Sequence, residues 1–154
     1  VFLLWRKLAG GIWYCIREYY HSGREKGVQK TDAEYSEDLK LWLNGISPRY
    51  IILDPAAASF RAQLKQDGFK VKKANNDVLD GIRFVATLLT QGTIFFDRSC
   101  ENTIKEFSSY VWDGKAAEHG EDKPVKERDH AMDALRYQAM TVIRRTGGMK
   151  IFKE

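Results

Sequence analysis

Tyr50-Ile51-Ile52-Leu53-Asp54-Pro55-Ala56 is the stretch on which the fold turns. Its apolar run is short and does not alternate, so it reads as a strand covered on both faces. Asp54-Pro55 closes it. Residues 59–66 then read as a helix stopped by Asp67-Gly68, and residues 69–73 alternate apolar and basic, as a half-buried strand does. On the other side, Thr31-Asp32-Ala33-Glu34 resembles a capping box. Tyr35, Leu39, Trp42 and Leu43 follow at helical spacing, and Gly45 ends that helix.

Further out the same alternation of strand and helix continues. Residues 1–8 and 12–20 flank a Gly pair and read as a β-hairpin, and residues 24–30 as a loop. Asp77 is placed to cap a helix with Val78, Ile82, Val85 and Leu89 on one face. Residues 93–96 read as another buried strand. Residues 102–112 read as a helix with Ile104, Phe107 and Val111 inward. Residues 116–128 are polar and read as a mobile loop, and residues 129–145 form the last helix, packing through Ala134, Leu135, Ala139 and Met140. Gly147-Gly148-Met149-Lys150 reads as a frayed tail. Strands alternating with helices imply an α/β fold with a mostly parallel sheet covered on both faces, and the hairpin adds antiparallel strands at one edge.

The 154 residues make one domain, 44% apolar and 30% charged, which excludes a disordered chain. A net charge of +4 permits an anionic partner without requiring one. Cys15 and Cys100 lack a CxxC neighbour, which argues against zinc and for free thiols in a reduced compartment. No apolar stretch is long enough to cross a bilayer. The chain opens inside an apolar run without Met, as a piece of a longer protein does.

Two places carry candidate chemistry. Asp54 stands at the carboxyl end of a buried strand, where open α/β sheets bind ligands; as a bare Asp-Pro turn it does no more than end the strand. Asp129-His130-Ala131-Met132-Asp133 opens the last helix, with His130 and Asp133 one turn apart and Asp129 four residues from Asp133. Such a set holds a divalent ion if a further ligand comes from elsewhere. Alternatively Asp129 caps the helix, His130 is solvated and Asp133 pairs with Arg136. Carboxylates from a strand end and a helix start together suit a two-metal phosphodiesterase, which needs hard oxygen ligands and at least one more carboxylate. Asp97 reads as a turn residue. Lys70, Lys72 and Lys73, and Lys123, Lys126 and Arg128 before the last helix, suit phosphate contacts or a solvated charged face.

Four segments, in this order, resemble the C-terminal nuclease domain of phage terminase large subunits: Tyr50 to Ala56, Asn76-Asp77-Val78-Leu79-Asp80-Gly81-Ile82, Tyr110-Val111-Trp112-Asp113, and Asp129-His130-Ala131-Met132-Asp133-Ala134-Leu135-Arg136-Tyr137. The hairpin ending Ile16-Arg17-Glu18-Tyr19-Tyr20 also fits. The resemblance implies a ribonuclease H-like mixed sheet with helices on both faces, its first strand missing ahead of Val1. It implies cleavage of concatemeric double-stranded viral DNA during packaging with Mg²⁺ or Mn²⁺, as a pair of ions. It carries the metal and catalytic roles to Asp54, His130 and Asp133, with Asp129 assisting. Lys73, Lys126 and Arg128 are candidate DNA contacts.

The Asp of the missing first strand has no counterpart here. No GxxxxGK[ST] phosphate loop is present, so the resemblance places the motor's ATPase upstream. It also implies a portal protein and a small terminase subunit as partners, no membrane, and the host cytoplasm. Two other readings share the carboxylate pattern. One is a catalytically incompetent domain that docks DNA or the portal, and the other a resolvase or transposase of related fold.

Overall fold

A computed structural model describes residues 1–21, 27, 29–111, 124–125 and 129–146. Strand β1 (Phe2–Lys7) turns through a short 3-10 segment, Ala9–Gly11, into β2 (Trp13–Tyr19). Gly10 there has φ 73° and Gly11 φ 81°, values that a residue with a Cβ rarely adopts. Helix α1 (Asp32–Leu43) and β3 (Ile51–Leu53) follow, then α2 (Ala58–Gln66), β4 (Val71–Lys73) and α3 (Val78–Thr90). The chain continues through β5 (Ile94–Phe96), α4 (Glu101–Ser109) and α5, which runs over His130–Gln138, a π-helical turn Ala139–Ile143 and a last turn Arg144–Thr146.

Local chemistry sets most boundaries as expected. The capping box forms: Thr31 N donates to Glu34 at 2.7 Å, and Glu34 N donates to Thr31 Oγ1 at 3.3 Å. Asp77 caps α3, accepting from Asp80 N at 3.0 Å. Helix α4 stops at Ser109, short of the expected residue 112. The expected loop at 116–128 and the frayed tail at 147–150 lie outside the described residues, Pro124 and Val125 excepted.

The strands make two sheets rather than one. In the first, of order β1-β2-β5, β1 and β2 are antiparallel and β2 and β5 parallel. In the second, β3 and β4 pair in parallel. Among the described residues no strand joins β1 to β3. A cavity of about 1170 Å³ lies between them, lined by residues 1–7 on one side and 50–54 on the other. The run at 51–53 is therefore half-buried, not covered on both faces as expected.

Alternation along β1 sorts two cores. Leu3 and Trp5 point to a cluster of Val85, Leu88, Ile94, Ala131, Met132, Leu135, Ala139 and Ile143 from α3, β5 and α5. Phe2 and Leu4 point the other way, to Leu39, Leu43 and Leu64 from α1 and α2. Helices thus cover both faces of the first sheet, and period-2 side-chain direction is the reason.

Three inward assignments are corrected. Leu89, Ile104 and Val111 are 40%, 45% and 54% exposed. Leu88 is buried instead of Leu89, and Thr103 and Glu106 instead of Ile104. The inward face of α4 is thus partly polar, which apolar periodicity cannot detect. Its first turn is held by Glu18 of β2, which accepts from Asn102 N and Nδ2 and from Thr103 N and Oγ1 at 2.8–2.9 Å.

Burial pushes the Glu18 carboxyl up, but these hydrogen bonds outweigh it and hold the group below the ordinary carboxylate range. A depressed folded-state pKa contributes stability that is complete above the unfolded value and is lost as pH falls through the folded one. Glu18→Ala is therefore expected to cost about 1–2 kcal/mol at neutral pH. Urea unfolding across pH should show the gap to wild type closing below the ordinary glutamate value of about 4.3. A gap independent of pH refutes this account of Glu18.

Candidate active site

Both candidate segments border the same cavity. Asp54 follows the last residue of β3, and Asp129, His130 and Asp133 come from the start of α5; all four line the space between the sheets. The strand tip and the helix that the sequence singled out border one space, and Tyr137 of that helix donates to Asp54. The chain turns back after β3 because Asp54 Oδ1 accepts from Ala56 N at 2.7 Å, so Asp54 closes the strand and faces the cavity at once. Helix α5 is aimed by its apolar side: Ala131, Met132, Leu135 and Ala139 are buried, which leaves Asp133, Ala134 and Tyr137 on the cavity side.

The carboxylates are not gathered into a ready cage. Asp54 Oδ2 accepts from Tyr137 Oη, and Asp133 Oδ1 from Arg136 Nη2. Among the described residues no group of three or more His, Cys, Asp and Glu side chains stands close enough to hold a metal ion. Tyr137 lies within reach of the charge on both acids. Burial first, then its bond to Asp54 and the charges of Asp133 and Asp54, raise its phenol well above the ordinary range. Burial also pushes Asp133 up, against the opposing pull of Arg136.

Of the alternatives read from sequence, the Asp133–Arg136 pair forms, and His130 is exposed. Asp129 occupies the N-cap position without a side-chain cap bond. The cap comes from Glu106 of α4, whose Oε2 accepts from Ala131 N at 2.8 Å and Met132 N at 3.1 Å. Burial raises the Glu106 carboxyl, against its bonds to Tyr20, Met132 and Ala131.

Lys73 is exposed and in register with Leu53, one residue from Asp54, but it does not line the cavity. Lys72 lies over the ring of Tyr50 at 3.9 Å. Lys123, Lys126 and Arg128 lie outside the described residues, as do Trp112 and Asp113.

Three contributors were not assigned a place at the site from sequence. Tyr137 was legible, since it is four residues from Asp133 and shares its face. Glu106 had no signal: a Glu in an amphipathic helix reads as solvated. Gly81 was equally silent. A Cβ there would stand 3.2 Å from Arg136 Cδ, so the glycine makes room for the arginine that holds Asp133.

The family model described as Terminase RNaseH-like domain matches residues 9–141. The chain belongs to this family. Membership sets the resolvase and transposase readings aside. A large terminase subunit of Escherichia phage T5 is 30% identical over 138 residues, covering 85% of this chain and 31% of that protein. The solved large terminase of a thermophilic bacteriophage is 52% identical with a TM-score of 0.86, covering 92% of this chain and 36% of that one. The complex of that phage terminase with ATP-γ-S gives 53% identity and a TM-score of 0.85 over 89% of this chain and 35% of that one. The chain therefore spans about a third of the length of these relatives. The ribonuclease H-like mixed α/β architecture expected from sequence is the one found.

Arg136 is 5% exposed and tied to Asp133 and to the Asp77 carbonyl, so it has little freedom to yield. Gly81→Ala should therefore lose more from crowding than the roughly 1 kcal/mol that alanine brings to a helix. A net loss of about 1 kcal/mol in urea unfolding is expected. An unchanged or raised midpoint means that the arginine moves aside.

Proposed function

We propose that this chain is the metal-dependent endonuclease domain of a phage DNA-packaging terminase large subunit, cutting concatemeric double-stranded DNA. The observation that carries the reading is the shared cavity of Asp54, Asp129, His130 and Asp133. Family membership supports it independently.

The donor set suits a hard divalent cation such as Mg²⁺ or Mn²⁺, since three of its four members offer carboxylate oxygen. Asp54, His130 and Asp133 would hold it, with Asp129 beside them. When bound, such an ion or pair of ions supplies Lewis acidity, activating water and offsetting charge that develops on the phosphodiester. Until then Tyr137 donates a hydrogen bond to Asp54 and Arg136 pairs with Asp133. The exposed His130 would orient water or accept its proton. Lys73, with Lys126 and Arg128, would contact DNA through its phosphates, which gives affinity without sequence preference.

The space between β1 and β3 has the unpaired strand edges that a further strand would satisfy. We assign it to the first strand of the ribonuclease H-like fold, carrying the remaining carboxylate and supplied by a longer protein whose ATPase lies upstream. Portal and small-subunit partners, and action in the host cytoplasm, belong to that whole protein. Among the described residues no helix is long and apolar enough to cross a membrane.

Plasmid cleavage by the full large subunit in Mn²⁺ tests the assignment. Asp54→Ala and Asp133→Ala should each lower the rate by on the order of 10²-fold or more, with DNA binding in EDTA retained. Cleavage by both variants at the wild-type rate returns the domain to the role of a non-catalytic DNA or portal dock.

A further inference from the structure

Helix α5 takes its N-terminal cap from another helix. A carboxylate at the N-cap ordinarily turns back onto the second or third amide of the helix. Asp129 does not, because Glu106 already holds both amides, Ala131 N at 2.8 Å and Met132 N at 3.1 Å. Glu106 is 4% exposed, and its other oxygen accepts from Tyr20 Oη at 2.7 Å. The carboxylate thus links α4, the residue that follows β2 and the first turn of α5.

Burying a carboxylate is costly unless hydrogen bonds compensate it, whereas a cap from residue 129 would need no burial. The internal cap leaves Asp129 without a side-chain hydrogen bond at the helix start among the described residues, lining the cavity with His130, Asp133 and Asp54. It also pins the turn that carries His130 and Asp133 against the core, where Ala131 is fully buried and Met132 3% exposed. Of the two acids that could cap α5, the buried one does so and the one bordering the cavity is spared.

We propose that Glu106 is a positioning residue of this site: by capping α5 from inside the fold it releases Asp129 into the cavity and sets the turn bearing His130 and Asp133. The cap exchange stands on geometry alone; its consequence for metal binding rests on the nuclease reading above.

Two measurements on the full large subunit test it. The first is hydrogen exchange of the peptide spanning residues 129–133, without metal. Asp129→Ala alone should leave exchange unchanged. In a Glu106→Leu background Asp129 folds back as a substitute cap, so adding Asp129→Ala should speed exchange by roughly tenfold. Glu106→Asp, one methylene shorter, takes the place of the leucine variant if that does not fold. Faster exchange in Asp129→Ala alone, or no coupling between the two positions, overturns the cap exchange.

The second is Mn²⁺ affinity by calorimetry, without DNA. Glu106→Leu should weaken binding about tenfold, and Glu106→Gln, which keeps an acceptor at the same reach, should restore it. Wild-type affinity in Glu106→Leu, with weakened binding in Asp54→Ala, overturns the positioning role and leaves the nuclease reading intact. Unweakened binding in both Asp54→Ala and Asp133→Ala overturns the nuclease reading, while the exchange coupling still decides the cap.

Discussion

The packing of α5 against the first sheet is the contact on which the candidate site depends. Ala131, Leu135 and Ala139 recur at helical spacing and are buried with Val85, Leu88 and Ile94. Small residues at two of these positions let the helix lie close to its neighbours, and Gly81 lets α3 approach Arg136 in the same way. Once that face is committed, the rotation of the helix is set. Asp133 and Tyr137 cannot then point anywhere but toward the cavity, because a helix has one direction for each residue.

The second determinant is the division of the strands. Residue alternation along β1 feeds a core on each face of the first sheet, while β3 and β4 stand apart as a parallel pair. Asp54 reaches the cavity because β3 ends there, and its turn holds it through the Ala56 amide. The space between β1 and β3 is therefore bordered by apolar side chains of β1, α1 and β3 and, where β3 ends, by Asp54. Asp129 and Asp133 also lie at the N-terminal end of α5, where the helix dipole favours negative charge.

Charge around the cavity is balanced locally. Arg136 answers Asp133 from within the same helix, Tyr137 hydrogen-bonds Asp54 across to β3, and Glu106 absorbs the amides of the first turn. Each of these groups is wholly or partly buried, so each unpaired alternative would be costly. The same restraints explain why the acids line one space without forming a closed ligand set: Asp54 and Asp133 already have partners. A cation that enters must compete with a phenol and a guanidinium, both weaker partners for a carboxylate than a divalent ion.

By itself the sequence determined most elements and the caps of α1 and α3, because those depend on neighbours a few residues apart. The box at Thr31–Glu34, the cap at Asp77 and the helical repeat through Leu135 and Ala139 are all local. So are the strand end at Asp54 and the helix start at His130, and their resemblance to a known nuclease domain joined them. Tertiary structure alone decided which polar group serves which end. Glu106 displaces Asp129 as the cap of α5 from more than twenty residues away in the chain, and Glu18 caps α4 from more than eighty. It also decided that Leu89 and Ile104 face outward and that the strands form two sheets. The physical reason is that burial and long-range hydrogen bonding depend on which surfaces meet, and no periodicity within one segment records what lies against it.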